Sequence, residues 1–145
     1  MIPDVNVLVA AFRPDHEHHV VAATWLNDAR NACAKGDGTL VLPPMVVAGF
    51  LRVVTNHRVF IDPDPVQDAI AFVDALLETP GAEVCPSGHE WPVLRNKLIE
   101  GNLEGNLVTD AWIAAVVLHQ SESLATFDKD FRQLLPAHAL IFLGR

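Results

Sequence analysis

The chain has 145 residues, the length of one domain with a core of its own, and 50% of them are hydrophobic. Ten basic residues against eighteen acidic ones give a net charge of −8, which disfavours passive binding to a polyanion but does not exclude an enzyme that gathers carboxylates around a cation. No apolar run approaches the ~18 to 20 residues of a membrane span, and the opening M-I-P-D lacks the basic segment of a signal peptide. We therefore expect a cytoplasmic protein with two buried, reduced cysteines, Cys33 and Cys85.

The spacing of apolar residues predicts strands that alternate with helices. In chain order the predicted elements are strand Met1–Pro3, a helix over V-N-V-L-V-A-A-F, helix His18–Ala34, strand Thr39–Leu42, helix Met45–Val54, helix Val66–Glu78, strand Ala82–Cys85, helix Trp91–Glu100, a helix that opens near Asp110, strand Ser123–Phe127 and strand Ala139–Leu143. This alternation is typical of an α/β sandwich with a mostly parallel sheet of about four to five strands. We predict a single domain over residues 1–145.

Aspartates follow two of the predicted strands and open one of the helices. Asp4 comes directly after the first strand, Asp128 and Asp130 come after strand Ser123–Phe127, and Asp110 opens the last long helix. If these two strands are parallel neighbours, Asp4 and Asp128 emerge at the edge of the sheet where α/β folds place their sites. Any one of these aspartates has a simpler explanation as a helix cap.

Their convergence from distant segments favours a functional site over separate caps. Several carboxylates that lie close to one another cannot all stay ionised without a compensating cation. An all-oxygen ligand set suits Mg²⁺ or Mn²⁺, whereas zinc prefers histidine or cysteine. The chemistry that follows from such a site is phosphodiester hydrolysis.

Several segments resemble one known family. The segments I-P-D-V-N-V-L, G-N-L-V-T-D-A-W-I-A-A and A-T-F-D-K-D-F, in this order, resemble the PIN-domain ribonucleases, and A-G-F-L-R-V-V-T-N-H-R-V-F is similar to the VapC toxins of bacterial VapBC toxin-antitoxin pairs. The resemblance covers almost the whole chain. It implies a three-layer α/β/α fold and a metal-dependent endoribonuclease, with Asp4, Asp110 and Asp128 as its catalytic, metal-binding acids and Asp130 as an auxiliary ligand.

The chain departs from the family pattern at one position. Many members have a glutamate where this chain has Gly49. The site is then one carboxylate short, which favours a single metal ion or completion of the site by Asp130 or an RNA phosphate. Gly49 could equally serve close helix packing. The alternative function is a degenerate PIN fold without catalysis, acting through protein contacts alone.

Polar and basic residues near the acids are further candidates. Those expected to support the carboxylates through hydrogen bonds, with turn or cap roles as the alternative, are Asn6, Asn106 and Thr126. Those expected to contact RNA phosphate, with a solvated helix end as the alternative, are Arg52, His57 and Arg58. Three further histidines lack the H-E-x-x-H zinc spacing and are predicted to be a solvated helix start: His16, His18 and His19.

The resemblance to VapC toxins also implies partners. An active ribonuclease in the cytoplasm has to be held silent, so we expect a VapB-like antitoxin whose C-terminal tail brings arginine to the acids. An amphipathic antitoxin helix is expected to lie in a groove between helix Met45–Val54 and helix Val20–Ala34. We also expect a homodimer, because half of the residues are apolar in a chain of this length.

Overall fold

Five short parallel strands form the centre of the computed structural model, which describes residues 1–144; the predicted domain extends one residue further, to Arg145, which lies outside the described residues. The strands are β1 (Ile2–Pro3), β2 (Leu40–Leu42), β3 (Ala82–Val84), β4 (Leu124–Thr126) and β5 (Leu140–Phe142). Strand β4 pairs with β1 on one side and with β5 on the other, and β2 pairs with β3. The N–H of Val41 donates to the Met1 carbonyl at 2.9 Å, which joins the two groups in the order β3-β2-β1-β4-β5. The predicted parallel pairing of the first and fourth strands is confirmed.

Both faces of the central strands are covered. Neighbouring residues of a strand point to opposite faces, yet Leu40, Val41 and Leu42 of β2 are all buried, and so are Leu124 and Ala125 of β4. Such continuous burial requires helices on both sides, as in parallel sheets generally. The fold is therefore the predicted α/β/α sandwich.

The described residues contain six α-helices, which lie in pairs between β1 and β2, between β2 and β3, and between β3 and β4. They are α1 (Val5–Phe12), α2 (His19–Ala34), α3 (Pro44–Val54), α4 (Val66–Leu77), α5 (Trp91–Gly101) and α6 (Asn106–His119). Two 3₁₀ turns, Lys129–Gln133 and Ala137–Ala139, lie between β4 and β5. No helix within residues 1–144 is long and apolar enough to cross a membrane.

The predicted start of the last helix is wrong by about one turn. Helix α6 begins at Asn106, after Gly105 with a φ of 61°, so Asp110 is its fifth residue and does not cap it. A glycine in this left-handed region pays little steric cost, and it lets the chain enter the helix earlier than the apolar pattern indicates. Asp110 therefore projects from the helix wall.

Three large apolar side chains on the helices lie outside the core. Val21, Ile70 and Trp91 are 45%, 43% and 53% exposed. Helix α3 buries one face, and its Arg52 is exposed. The largely apolar sequence of α3 does not indicate which of its faces borders a cavity. Cys33 and Cys85 are buried and free, as predicted.

Candidate active site

Asp4 lies at the carboxyl end of β1, where it also caps α1. Its Oδ1 accepts the N–H of Val5 at 2.8 Å, and its Oδ2 accepts the hydroxyl of Thr126 at 2.6 Å. The residue is only 6% exposed. Burial raises the pKa of Asp4, against the lowering effect of the hydrogen bonds from Thr126 and Val5, and the charge of Asp128 raises it further. The side chain of Asp4 thus both caps α1 and forms part of the acid cluster.

The pairing of β1 with β4 brings Asp128 beside Asp4. The N–H of Asp128 donates to the Thr126 hydroxyl oxygen at 3.0 Å, and that hydroxyl in turn donates to Asp4. Asn6 Nδ2 donates to the same oxygen at 3.3 Å, and Asn6 Oδ1 accepts the N–H of Phe127 at 3.3 Å. Thr126 and Asn6 therefore tie the ends of the two strands together at the acids.

Asp110 faces this pair from α6. Burial raises the pKa of Asp110 to about 6, with added repulsion from Asp128, Asp4 and Asp130. The pKa of a carboxyl responds in this way when other carboxylates lie near it without a cation between them. The structure thus brings together the three acids that the sequence singled out.

Two of the predicted site residues lie apart from the other candidates. Asp130 is exposed, its N–H donates to Asp128 Oδ1 at 2.8 Å, and the charge of its carboxylate contributes to the raised pKa of Asp110. Asn106 is exposed at the first position of α6, and within the described chain its side chain makes no hydrogen bond to an acid. Their predicted roles stay predictions.

One cavity of about 730 Å³ contains the three acids. Its other walls are largely apolar and come from α1, α3, α6 and the segment after α3. Its lining includes Asp4, Asp110, Asp128, Asn6, His16, Gly49, Arg52, Val59 and Phe60. A concave site of this kind, apolar with a few converging polar groups, is typical of an active site.

A family model described as PIN domain matches residues 1–134. The chain belongs to the PIN-domain family. It is 40% identical over 129 residues to the VapC ribonuclease Mb2897 of Mycobacterium bovis, covering 88% of this chain and 85% of that protein. It is 36% identical to ribonuclease VapC25 of Mycobacterium tuberculosis, covering 88% of each. The resemblance inferred from the sequence motifs is confirmed.

A solved structure supports the PIN fold independently of close sequence identity. The crystal structure of VapBC2 from Rickettsia felis, bound to a DNA fragment from their promoter, matches with a TM-score of 0.66. The match covers 97% of this chain and 96% of that chain at 18% identity. At this identity the likeness supports the fold alone.

Gly49 of this PIN domain is a point of close helix packing. A Cβ atom at position 49 would lie 2.8 Å from Val5 Cγ2, closer than carbon atoms approach without displacement. Helix α3 can approach α1 in this way only because position 49 has no side chain. The structure supports the packing role for Gly49 that the sequence left open.

The predicted basic cluster is divided between the cavity and the surface. Arg52 lines the cavity, whereas His57 and Arg58 are exposed in the segment after α3 and are not among its lining residues. Val59 and Phe60, from the same segment, form part of the apolar wall. This wall is not predictable from the sequence, because the segment has neither helical nor strand periodicity.

The histidines after α1 are not a freely solvated helix start. His16, His18 and His19 are all half-buried. His16 lines the cavity, the ring of His18 stacks on Phe127 at 4.6 Å, and His19 Nδ1 lies 2.8 Å from the Ala10 carbonyl oxygen. The spacing of these histidines in the sequence does not indicate that His16 lies in the wall of the cavity.

Glu90 is a fully buried acid, and no motif in the sequence predicts its burial. It is 1% exposed, and its carboxylate accepts the Trp112 indole N–H at 2.7 Å and the Gly88 N–H at 2.8 Å. Burial acts to raise the pKa of Glu90, but these hydrogen bonds outweigh it and the pKa lies below its usual value. Glu90 does not line the acid cavity; it fixes Trp112, and with it the part of α6 that carries Asp110.

The acid cluster fits a hard divalent cation by its charge and donor atoms. Three carboxylates at one cavity supply the oxygen ligands that Mg²⁺ and Mn²⁺ prefer, and the raised pKa of Asp110 marks uncompensated negative charge. Within residues 1–144 no three His, Cys, Asp or Glu side chains already stand in a metal-binding arrangement. The Asp110 carboxylate accepts no hydrogen bond from the described chain, so both of its oxygens are available to a cation.

Proposed function

We propose that this chain, as a single domain over residues 1–145, is a metal-dependent endoribonuclease that hydrolyses RNA phosphodiester bonds in the cytoplasm as the toxin of a VapBC-type pair. The observation that supports this most is the convergence of Asp4, Asp110 and Asp128 in one cavity on a PIN-domain chain. Its similarity to VapC ribonucleases over 88% of its length supports the same activity. The non-catalytic alternative has no observation in its favour, since all three acids are present and adjacent.

The acids have distinct parts in this proposal. Asp4, Asp110 and Asp128 would hold Mg²⁺ or Mn²⁺, with Asp130 as an auxiliary. The bound ion supplies charge neutralisation at the phosphate and activation of the attacking water. Asp4 is held in place by its two hydrogen bonds, whereas both oxygens of Asp110 are available to the ion. Asn6 and Thr126 keep Asp4 and Asp128 in register, and an ordered set of ligands binds an ion with less loss of entropy.

RNA would enter over the basic side of the cavity. Arg52 lines the cavity, and His57 and Arg58 lie in the segment that follows its helix. On a chain with a net charge of −8, a local group of cations is needed to hold a polyanion beside carboxylates. We assign phosphate contacts to these three residues.

We further propose a VapB-like antitoxin with an arginine-bearing C-terminal tail, and a homodimer. Exposed apolar side chains suited to an amphipathic helix lie on α2 and on the segment after α3, at Val20, Val21, Val59 and Ile61. Arginine would pair with the acids in a bidentate manner in the absence of RNA. Light scattering of the purified chain tests the dimer, and co-purification with the product of the adjacent small reading frame tests the antitoxin.

The deciding experiment maps the 5′ ends of cellular RNA after induction of the chain. Wild type is expected to create new ends at defined sites, and Asp110→Asn is expected to create none while keeping its circular dichroism spectrum. Asp28→Asn, at an exposed position on α2, is the matched control and should cleave like wild type. Cleavage by Asp110→Asn, or cleavage by wild type that resists EDTA, would end the proposal.

A further inference from the structure

His16 occupies the wall of the acid cavity without belonging to the acid cluster. It lies in the connection between α1 and α2, is half-buried, and lines the same cavity of about 730 Å³ as Asp4, Asp110 and Asp128. The similarity motifs at Asp4, Asp110 and Asp128 assign it no role. Its chemistry follows from the hydrogen bonds around it.

The tautomer of His16 is fixed by the backbone. The N–H of His18 donates to His16 Nδ1 at 3.1 Å, so in the neutral ring the proton resides on Nε2. Burial lowers the pKa of His16, as does the neighbouring charge of His18, which favours the neutral ring. With Nδ1 occupied and Nε2 protonated, neither nitrogen has a free lone pair with which to bind a metal ion or to accept a proton as a general base. The ring is a hydrogen-bond donor.

The segment that carries His16 is anchored at both ends. At one end Arg13 Nε and Nη2 donate to the Asp15 carboxylate at 3.2 Å and 3.1 Å. At the other end the His18 ring stacks on Phe127, whose N–H is bonded to Asn6 beside the acids. His16 is thereby held in a fixed relation to Asp128, and a donor ordered in advance loses little entropy on binding.

We propose that His16 donates its Nε2–H to a non-bridging oxygen of an RNA phosphodiester in the cavity. This inference rests on the proposed ribonuclease function and adds a substrate contact to it. A neutral donor can bond a phosphate oxygen without adding, in the cavity that Arg52 already lines, a further positive charge that would compete with the cation for the acids. A hydrogen bond to an anionic oxygen is stronger than one between neutral groups.

The protein side of the test compares three substitutions on an RNA oligonucleotide that spans a cleavage site mapped in cells. His16→Phe keeps a ring without the N–H, and His16→Ala removes the ring. His16→Gln places an amide N–H near the position of Nε2. We expect KM to rise roughly 10-fold to 100-fold in His16→Phe and His16→Ala with kcat little changed, and His16→Gln to recover most of the loss.

His138→Gln is the matched control, since His138 is exposed on the 3₁₀ turn before β5 and should cleave like wild type. Melting temperatures identify any variant that fails to fold. If His16→Phe is unfolded, the comparison of His16→Ala with His16→Gln carries the same information. A wild-type KM in His16→Ala or His16→Phe overturns the inference.

The RNA side of the test identifies the contacted atom. A neutral methylphosphonate is placed at each linkage of the oligonucleotide in turn, which replaces one non-bridging oxygen. At one linkage next to the cleavage site, it should weaken binding to wild type but cause no further loss in His16→Phe. Equal losses in both proteins at every linkage would refute the contact while leaving the ribonuclease function intact. Failure of wild type to cleave any RNA would remove both proposals together.

Discussion

The Thr126 hydroxyl connects the two strand ends that carry acids. It donates to Asp4 Oδ2 and accepts from the Asp128 N–H and from Asn6 Nδ2. The residue is fully buried, so water cannot replace these partners without entering the core. A strand residue predicted to support the acids is thus the centre of a small hydrogen-bond network.

We expect Thr126→Val to weaken both the fold and the site. Valine has the same shape, but it leaves the Asp128 N–H and Asp4 Oδ2 without their partner, which costs about 1 to 3 kcal/mol for buried groups. Urea unfolding measures the loss of stability, and calorimetry with Mn²⁺ measures the loss of metal affinity. Thr126→Ser keeps the hydroxyl and should retain most of both. Equal stability of the serine and valine variants would contradict the role of the hydroxyl.

The elements that the sequence predicted well are those whose partners follow from a local pattern. Strands β1 and β4 are short buried runs that are followed within two residues by aspartate. The rule that parallel strands place their carboxyl ends together is enough to predict that Asp4 and Asp128 lie close to each other. Asp110 lines the same cavity as Asp4 and Asp128 although α6 begins earlier than predicted. A helix carries its side chains to the same edge whether it begins at residue 106 or near residue 110.

The apolar wall of the cavity was not predictable, because long-range contacts place it. Arg13, at the end of α1, donates to the Asp64 carboxylate at 2.8 Å and to the Asp62 carbonyl at 3.2 Å, and it lies 3.8 Å over the ring of Phe60. These contacts hold the segment after α3 over the cavity. Periodicity within either segment contains no information about the other.

The contact between α1 and α3 provides a prediction about packing. Gly49→Ala should gain about 1 kcal/mol of helix propensity and lose about 1 to 3 kcal/mol to the clash with Val5 Cγ2, so we expect a net loss of stability. The double variant Val5→Ala/Gly49→Ala removes the clashing methyl groups and should be more stable than the sum of the two single changes. Urea unfolding of all four proteins gives the coupling. Additive changes would show that α3 does not depend on this approach.

For the molecule as a whole, the acid cluster makes stability depend on pH and on metal. The pKa of Asp110 is raised from 3.8 to about 6, so the folded state holds its proton where the unfolded chain has lost it. The stability that this proton confers is complete below pH 3.8 and is lost as the pH rises through about 6. A shift of this size would correspond to about 3 kcal/mol for a fully buried group, and solvent screening of the half-buried Asp110 reduces it to roughly 1 kcal/mol.

We therefore expect the stability of metal-free Asp110→Asn, relative to wild type, to increase by roughly 1 kcal/mol as the pH rises from low pH to pH 7.5. The amide removes both the buried charge and its repulsion with Asp4 and Asp128. Saturating Mn²⁺ should reverse the order at neutral pH, since an ion that binds only the folded state stabilises it by about 2.7 kcal/mol at 100 times its Kd. Thermal unfolding from pH 4 to 7.5, with EDTA and with Mn²⁺, measures both effects. Asp28→Asn should follow wild type throughout. If the Asp110→Asn difference does not change with pH, the carboxylates do not repel one another in the folded chain, and if Mn²⁺ stabilises both proteins equally, the ion does not depend on Asp110.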